Sequence, residues 1–216
     1  MRKSINGIVM VLLCAVMLLS ACSGAGTSSA PSGTQAYLTQ DSEGLELLDP
    51  GKSYEAVIEV EDYGMIVFTL RQDEAPVSAA NFAALAEVGF YDGLTFHRII
   101  NGFMIQGGDP AGNGSGGSGQ PIVGEFASNG HDNSISHVRG VVSMARAKDP
   151  NSGSSQFFIV QADSDYLDGD YAAFGEVTEG MQVVDRICQE VPVQDGNGTV
   201  KAEDQPVIKS VTIREK

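Results

Sequence analysis

The chain has 216 residues, of which 42% are hydrophobic and 19% are charged. Its 28 acidic residues outnumber its 13 basic ones and give a formal net charge of -15, which argues against nucleic acid or anionic lipid headgroups as binding partners. The hydrophobic content is ordinary for a soluble globular protein, and the length allows one domain with additional segments or two small domains.

The first 21 residues have the pattern of an export signal. Two basic residues precede an apolar run over residues 8–19, which is too short to span a bilayer comfortably as a permanent helix. The sequence LSAC, which ends at Cys22, resembles the lipobox of bacterial lipoproteins, in which the signal is cut before the cysteine and the thiol carries a diacylglyceryl group. We therefore expect a signal peptide over residues 1–21, lipid attachment at Cys22 and a location at the extracytoplasmic face of the cell membrane. An ordinary secretory signal with an incidental cysteine is the alternative.

Residues 22–52 are expected to link the lipid to a folded domain. The part over residues 23–35 is rich in Ser, Gly and Ala, with no charge and no large apolar side chain. Because such a composition cannot bury a core, it is typical of a flexible tether. Residues 36–52 have no clear pattern and are described only as a transitional segment, so the domain is assigned to residues 53–216.

The domain begins with a predicted hairpin and a helix. Alternating apolar and polar residues predict strands over residues 53–60 and 64–70, separated by a turn. A helix is predicted over residues 73–89. Its apolar stripe is expected to contain Val77, Ala80, Ala84 and Val88.

Short strands dominate the rest of the domain. Six further strands are predicted over residues 94–100, 103–106, 141–145, 156–161, 172–177 and 207–214. A second helix over residues 181–190 carries Cys188 on its apolar face, where a buried structural thiol is expected. Many short strands with two separated helices and no βαβ alternation predict an all-β dominated protein whose antiparallel sheet closes on itself.

Three segments carry candidate chemistry. The densest is FHRIINGFMIQGGDP, which begins at Phe96. If Arg98 and Gln106 lie on neighbouring strands, the amide can orient the guanidinium beside an apolar wall. The second segment is SMAR at residues 143–146 with SQFFI at 155–159, and the third is YLDG at 166–169 with FG at 174–175.

These segments, in this order and at this spacing, resemble the cyclophilin family of peptidyl-prolyl isomerases over residues 53–216. The resemblance implies a closed eight-stranded antiparallel β-barrel capped by two α-helices, which agrees with the predicted strands and helices. It implies that the protein catalyses rotation about Xaa-Pro bonds and assists the folding of exported proteins. Its substrates would be proline-containing unfolded or extended polypeptides, and it is expected to act as a monomer without a metal or other cofactor.

The resemblance also assigns site residues. Arg98 corresponds to the catalytic arginine, Gln106 to the amide that supports it and Phe103 to a wall of the proline pocket. Substrate binding is assigned to Met104, Gly114, Ala145, Arg146, Gln156, Phe158, Tyr166, Leu167, Tyr171 and Phe174. In this set Phe174 is expected beneath the pocket, and Gly114 where the residues before proline are read. His97 is interpreted as a hydrogen-bonded core residue.

Two positions depart from the family pattern. Tyr166 stands where many members have a tryptophan, whose indole N–H donates to cyclosporin, so cyclosporin binding is expected to be weakened. Tyr171 stands where a histidine is usual, and because it is still aromatic we expect activity to survive. A catalytically weak module that captures proline segments and a purely structural envelope protein are the alternatives, and the intact Arg98, Gln106 and Phe103 favour the enzyme.

Overall fold

The computed structural model describes residues 38–40 and 45–216, which belong to one unit, Gln35–Lys216. Most of this unit is β-structure. The strands are β1 (Leu38–Gln40), β2 (Glu46–Leu48), β3 (Tyr54–Val60), β4 (Gly64–Leu70), β5 (Phe96–Ile100), β6 (Met104–Gly107), β7 (Val141–Met144), β8 (Phe157–Val160), β9 (Ala173–Glu179) and β10 (Ile208–Glu215), and the helices are α1 (Pro76–Glu87) and α2 (Met181–Glu190). No helix among the described residues is long and apolar enough to cross a membrane.

Eight strands form one curled antiparallel sheet in the order β10-β3-β4-β9-β7-β8-β6-β5. The expected closed barrel is wrong, because β5 and β10 do not pair as a ladder and an isolated bridge between Thr95 and Val207 joins the two ends of the sheet. The chain that precedes β10 occupies the outer side of β5 instead. The Ile99 N–H donates to the Gly198 carbonyl at 2.8 Å, and the Val200 N–H donates to the His97 carbonyl at 3.1 Å. An irregular segment thus covers the edge that a strand would otherwise complete.

Aromatic rings fill the inside of the sheet, and α1 contributes one of them. The Phe82 ring lies 5.3 Å from the Phe68 ring and 5.3 Å from the Phe157 ring, centroid to centroid. The apolar stripe expected on this helix is right in part: Ala80 is buried and Val77 packs partly against the core, but Val88 is 78% exposed. The centre of the buried face contains Ala79, Phe82, Ala83 and Ala86, which also follow helical spacing.

The second helix agrees with its prediction. Val184, Cys188 and Val191 are buried, and the thiol joins the main core. Burial raises the pKa of the Cys188 thiol to about 12. This confirms a buried structural cysteine.

The transitional segment packs in part against the domain. Strands β1 and β2 pair antiparallel, and Leu48 on β2 is buried in the main core. The Gln72 amide donates to the Lys52 carbonyl at 2.6 Å, which ties the end of this segment to the loop before α1. The predicted signal peptide, Cys22 and the tether over residues 23–35 lie outside the described residues.

Candidate active site

Arg98 and Gln106 lie directly opposite each other on β5 and β6, as the sequence suggested. The Arg98 Nη1 donates to the Gln106 Oε1 at 3.1 Å, and its Nε donates to the Asn197 carbonyl at 2.8 Å. Two of the three guanidinium nitrogens therefore have fixed partners. The third, Nη2, donates to no group among the described residues, so its hydrogens are available to a ligand.

A row of opposite residues continues this pair across the outer face of the sheet. Gln106 lies opposite Phe158 on β8, Phe158 lies opposite Ser143 on β7, and Ser143 lies opposite Ala173 on β9. Residues directly opposite in a ladder share a face. The site is therefore built on the face that points away from the aromatic core.

Apolar side chains beside this row form a cavity of about 200 Å³. It is lined by Arg98, Phe103, Met104, Gln106, Ala145, Arg146, Phe158, Leu167 and Tyr171. Nine of the thirteen predicted protein site residues thus meet around one small space. Its apolar side chains, together with the cationic and amide groups of Arg98, Arg146 and Gln106, suit a compact ring with an adjacent polar bond.

A second cavity, of about 240 Å³, adjoins the first and shares Gln106, Ala145 and Arg146 with it. Gly114 and Gln156 line this second space. The two cavities form a groove long enough for more than one residue of an extended chain. Gly114 and Gln156 therefore lie where a ligand that filled the first cavity would continue.

Two predicted binding residues do not line either cavity. Tyr166 is 67% exposed and stands at the rim, with its ring 5.9 Å from that of Phe103. Phe174 is fully buried in the aromatic core, 5.4 Å from Phe82. Because side chains alternate along β9, Ala173 faces the site and Phe174 faces the core, so Phe174 supports the sheet and does not contact the pocket.

Arg146 lines both cavities, whereas Arg98 lines only the first. The Arg146 guanidinium carbon lies 4.7 Å from the Tyr171 ring centroid and 5.1 Å from that of Phe126. Its Nε donates to the Asp170 carbonyl at 2.9 Å. These cation–π contacts hold Tyr171 as one wall of the cavity.

His137 lies beneath the cavity, a position that the sequence analysis did not assign to it. The side chain is fully buried, with Nδ1 2.9 Å from Asp168 Oδ1 and Nε2 3.1 Å from Ser143 Oγ. Its ring stacks on the Phe158 wall at 6.1 Å. Burial lowers the pKa of His137, although Asp168 partly offsets that effect. The signals, a histidine before a strand and the aspartate of YLDG, are far apart in the chain.

His97 is buried as expected but is not hydrogen-bonded through its ring. It is 4% exposed, and neither ring nitrogen has a partner among the described residues. Burial lowers its pKa. The expectation of a hydrogen-bonded core residue was therefore wrong, although the burial itself is confirmed.

Comparisons with known proteins agree with this geometry. The family model described as cyclophilin type peptidyl-prolyl cis-trans isomerase/CLD matches residues 56–215. A peptidyl-prolyl cis-trans isomerase of Helicobacter pylori is 42% identical over 156 residues, which cover 66% of this chain and 92% of the relative. Peptidyl-prolyl cis-trans isomerase B of Bacillus subtilis is 47% identical over 123 residues, covering 57% of this chain and 82% of the relative.

A solved structure shows the same fold. The crystal structure of a cyclophilin type peptidyl-prolyl cis-trans isomerase from Cryptosporidium parvum, in the presence of the dipeptide Ala-Pro, matches with a TM-score of 0.64 and 32% identity. The match covers 75% of this chain and 99% of that chain.

Proposed function

Because this chain belongs to the cyclophilin-type peptidyl-prolyl cis-trans isomerases, we propose that it carries out its reaction in the groove between Arg98 and the Phe103 cavity. The reaction is rotation about the peptide bond that precedes proline. One observation carries the assignment of the site: a guanidinium fixed on two sides borders an apolar cavity of about 200 Å³ and keeps Nη2 without a protein partner among the described residues.

The physical basis is the electronic structure of the amide. Rotation has a barrier of about 18–20 kcal/mol because the nitrogen lone pair is shared with the carbonyl. In the twisted state the lone pair is localised on nitrogen, which then becomes a hydrogen-bond acceptor. A donor aimed at that nitrogen therefore stabilises the transition state more than the planar ground state.

Arg98 suits this role. Its guanidinium is permanently charged and planar, and its contacts with Asn197 and Gln106 fix the plane in advance. One well-placed donor in an enzyme site contributes about 2.7–4 kcal/mol to transition-state stability. The cavity holds the proline ring while the preceding carbonyl turns. No covalent intermediate is involved.

The groove also supports a proposal on substrates and drugs. Extended polypeptides fit two adjoining cavities, and the N-terminal sequence supports a client set of exported proteins in an unfolded or extended state. Tyr166 at the exposed rim lacks the indole N–H of tryptophan, so we expect weakened cyclosporin binding.

The assignment of Arg98 is tested by comparing two variants of the chain from Gln35. Arg98→Ala should lower the isomerisation rate by roughly 10²–10³ while peptide affinity changes much less, because the arginine acts mainly on the twisted bond. Phe103→Ala should lower both the isomerisation rate and the peptide affinity, because it removes a wall of the pocket. Rates are measured by exchange spectroscopy on a proline peptide, and affinity by titration with the same peptide.

Arg186→Ala is the matched control, since Arg186 is also partly exposed but packs on Tyr63 away from the groove. Its rate should equal that of the unmodified chain, and melting temperatures should show that all variants fold. If Arg98→Ala kept near-normal turnover while Phe103→Ala lost its turnover, the pocket alone would explain the activity.

The anchor and location rest on the sequence alone. We propose that the chain is held at the extracytoplasmic face of the cell membrane through a lipid on Cys22, since LSAC follows a basic and apolar signal pattern. Two acyl chains can hold a protein whose own negative charge is not attracted to the membrane. Cys22→Ser should abolish labelling by a fatty-acid probe and block signal cleavage. Normal processing with retained membrane binding would reject the lipobox.

A further inference from the structure

We propose that Asp109 and Asp195 are positioning residues that hold the Arg98 guanidinium from two sides. The inference rests on the proposed catalytic role of Arg98. Each aspartate organises a loop, and each loop leads to a different nitrogen of the guanidinium. Neither carboxylate touches the groove, so neither would contact substrate.

The first loop follows β6 and is built around the buried Asp109 carboxylate. Its Oδ1 accepts the Ala111 N–H at 2.8 Å, and its Oδ2 accepts the N–H groups of Asn113 and Gly114 at 3.0 and 2.6 Å. Burial acts to raise the pKa of Asp109, but the backbone N–H groups outweigh it and the pKa lies below its ordinary value. The carboxylate is therefore ionised and holds the loop strongly.

This loop is connected to Arg98 by two glutamine amides. The Gln156 Nε2 donates to the Gly114 and Gly116 carbonyls at 3.1 and 2.8 Å. The Gln106 Nε2 donates to the Gln156 Oε1 at 2.9 Å, and the Gln106 Oε1 accepts from Arg98 Nη1. An amide used at both ends cannot rotate without losing a hydrogen bond, so the loop fixes Nη1 through both glutamines.

The second loop precedes β10 and is organised by Asp195. Its Oδ1 accepts the N–H groups of Asn197 and Thr199 at 2.9 and 3.1 Å, and its Oδ2 accepts the Thr199 hydroxyl at 3.0 Å. The turn presents the Asn197 carbonyl to Arg98 Nε. The second loop therefore fixes the other edge of the guanidinium by a direct contact.

Two glycines allow close contacts in these two loops. A Cβ at Gly116 would collide with Asp109 Oδ1, and a Cβ at Gly198 would collide with the Ile99 carbonyl. Gly198 also has a φ of +79°, which side chains rarely adopt. The first loop can therefore close tightly around its own aspartate, and the second can approach β5 closely.

The test uses the chain from Gln35 and one variant for each loop. In Asp109→Asn an amide N–H₂ must face at least one backbone N–H, so the loop loses its anchor. Asp195→Ala removes the acceptor of the second loop, and because this aspartate is exposed the fold should remain intact. Each variant should isomerise about tenfold more slowly than the unmodified chain. Asp195→Ala should change peptide affinity little, whereas Asp109→Asn also loosens Gly114 at the second cavity, so its loss of rate should exceed its loss of affinity. Asp195→Asn keeps an acceptor oxygen and should recover most of the rate.

Epistasis with Arg98 separates positioning from general stability. In an Arg98→Ala background, Asp109→Asn and Asp195→Ala should cause no further loss of rate, because nothing remains to be positioned. Asp49→Ala is the control, since Asp49 accepts the Gly51 N–H in a similar turn with no path to Arg98. It should leave the rate unchanged.

Three results would overturn the inference. If both aspartate variants had normal isomerisation rates while Arg98→Ala was slow, the positioning role would be rejected. The proposed active site would then still stand. If the aspartate substitutions lowered the rate in the Arg98→Ala background as much as in the unmodified chain, the aspartates would act on the fold alone. A normal rate for Arg98→Ala would reject the catalytic role of Arg98, and the positioning role with it.

Discussion

His137 connects the proline cavity to the stability of the sheet. Its ring supports Phe158 from below and satisfies both the Ser143 hydroxyl and the Asp168 carboxylate. His137→Phe keeps a flat ring but leaves the buried hydroxyl without its partner. We expect the free energy of unfolding to fall by about 1–3 kcal/mol, measured by urea denaturation.

A second substitution tests the cause of that loss. If the unpaired hydroxyl is responsible, adding Ser143→Ala to His137→Phe should recover part of the stability. Equal stability of His137→Phe and the unmodified chain would show that the buried contacts contribute nothing measurable.

Some of the site could be predicted residue by residue, and some could not. Arg98 and Gln106 flank a turn symmetrically, so their pairing follows from the alternation of two short strands. The inward direction of Phe174 depends on the face of β9, and a pattern with apolar residues on both faces does not reveal it. The contacts of Arg98 with Asn197 and of His137 with Asp168 join distant parts of the chain, which spacing alone cannot bring together.

At the scale of secondary structure, the short hairpin of β1 and β2 contributes more than its length suggests. Leu48 is buried in the main core, where Leu45 and Leu47 also pack in part. A chain that begins at Ser53 should be less stable to urea than one that begins at Gln35. Loss of one fully buried leucine alone accounts for about 1.5–3 kcal/mol.

A point variant checks that the loss comes from packing. Leu48→Ala in the chain from Gln35 should reproduce most of the effect, whereas Glu46→Ala, at an exposed position of the same strand, should not. If truncation at Ser53 left stability unchanged, the hairpin would be only a surface attachment.

The limits of prediction at this scale have physical causes. Strands of three residues are too short for an alternating pattern to be recognised, so the sequence predicts neither β1 nor β2. On α1 the valines suggested one stripe, but small alanines let the helix approach the sheet closely and Phe82 fills the core. The order of long strands was consistent with a barrel, whereas its opening depends on an irregular segment beside β5.

For the molecule as a whole, two buried histidines predict a loss of stability in mild acid. His97 and His137 both have pKa values lowered by burial from the ordinary value of 6.5. The unfolded chain therefore binds protons more readily than the folded one as the pH falls below about 6.5. The free energy of unfolding should decrease between pH 7.5 and 5.5.

Urea denaturation at several pH values measures the slope of the free energy of unfolding against pH. His137→Phe should have a smaller slope than the unmodified chain, because one of the two groups has been removed. The carboxylates of Asp109, Asp168 and Asp185 have pKa values held below their ordinary range, so their contribution is lost only at lower pH. A stability that stays constant from pH 7.5 to 5.5 would contradict this account.

The segment that covers β5 bears on self-association. A bare strand edge recruits other extended chains, and the unfolded clients proposed for this enzyme are rich in such segments. Here the β5 backbone is already occupied by Gly198 and Val200. A client bound through side chains at the groove therefore finds no template at β5 on which to nucleate aggregation.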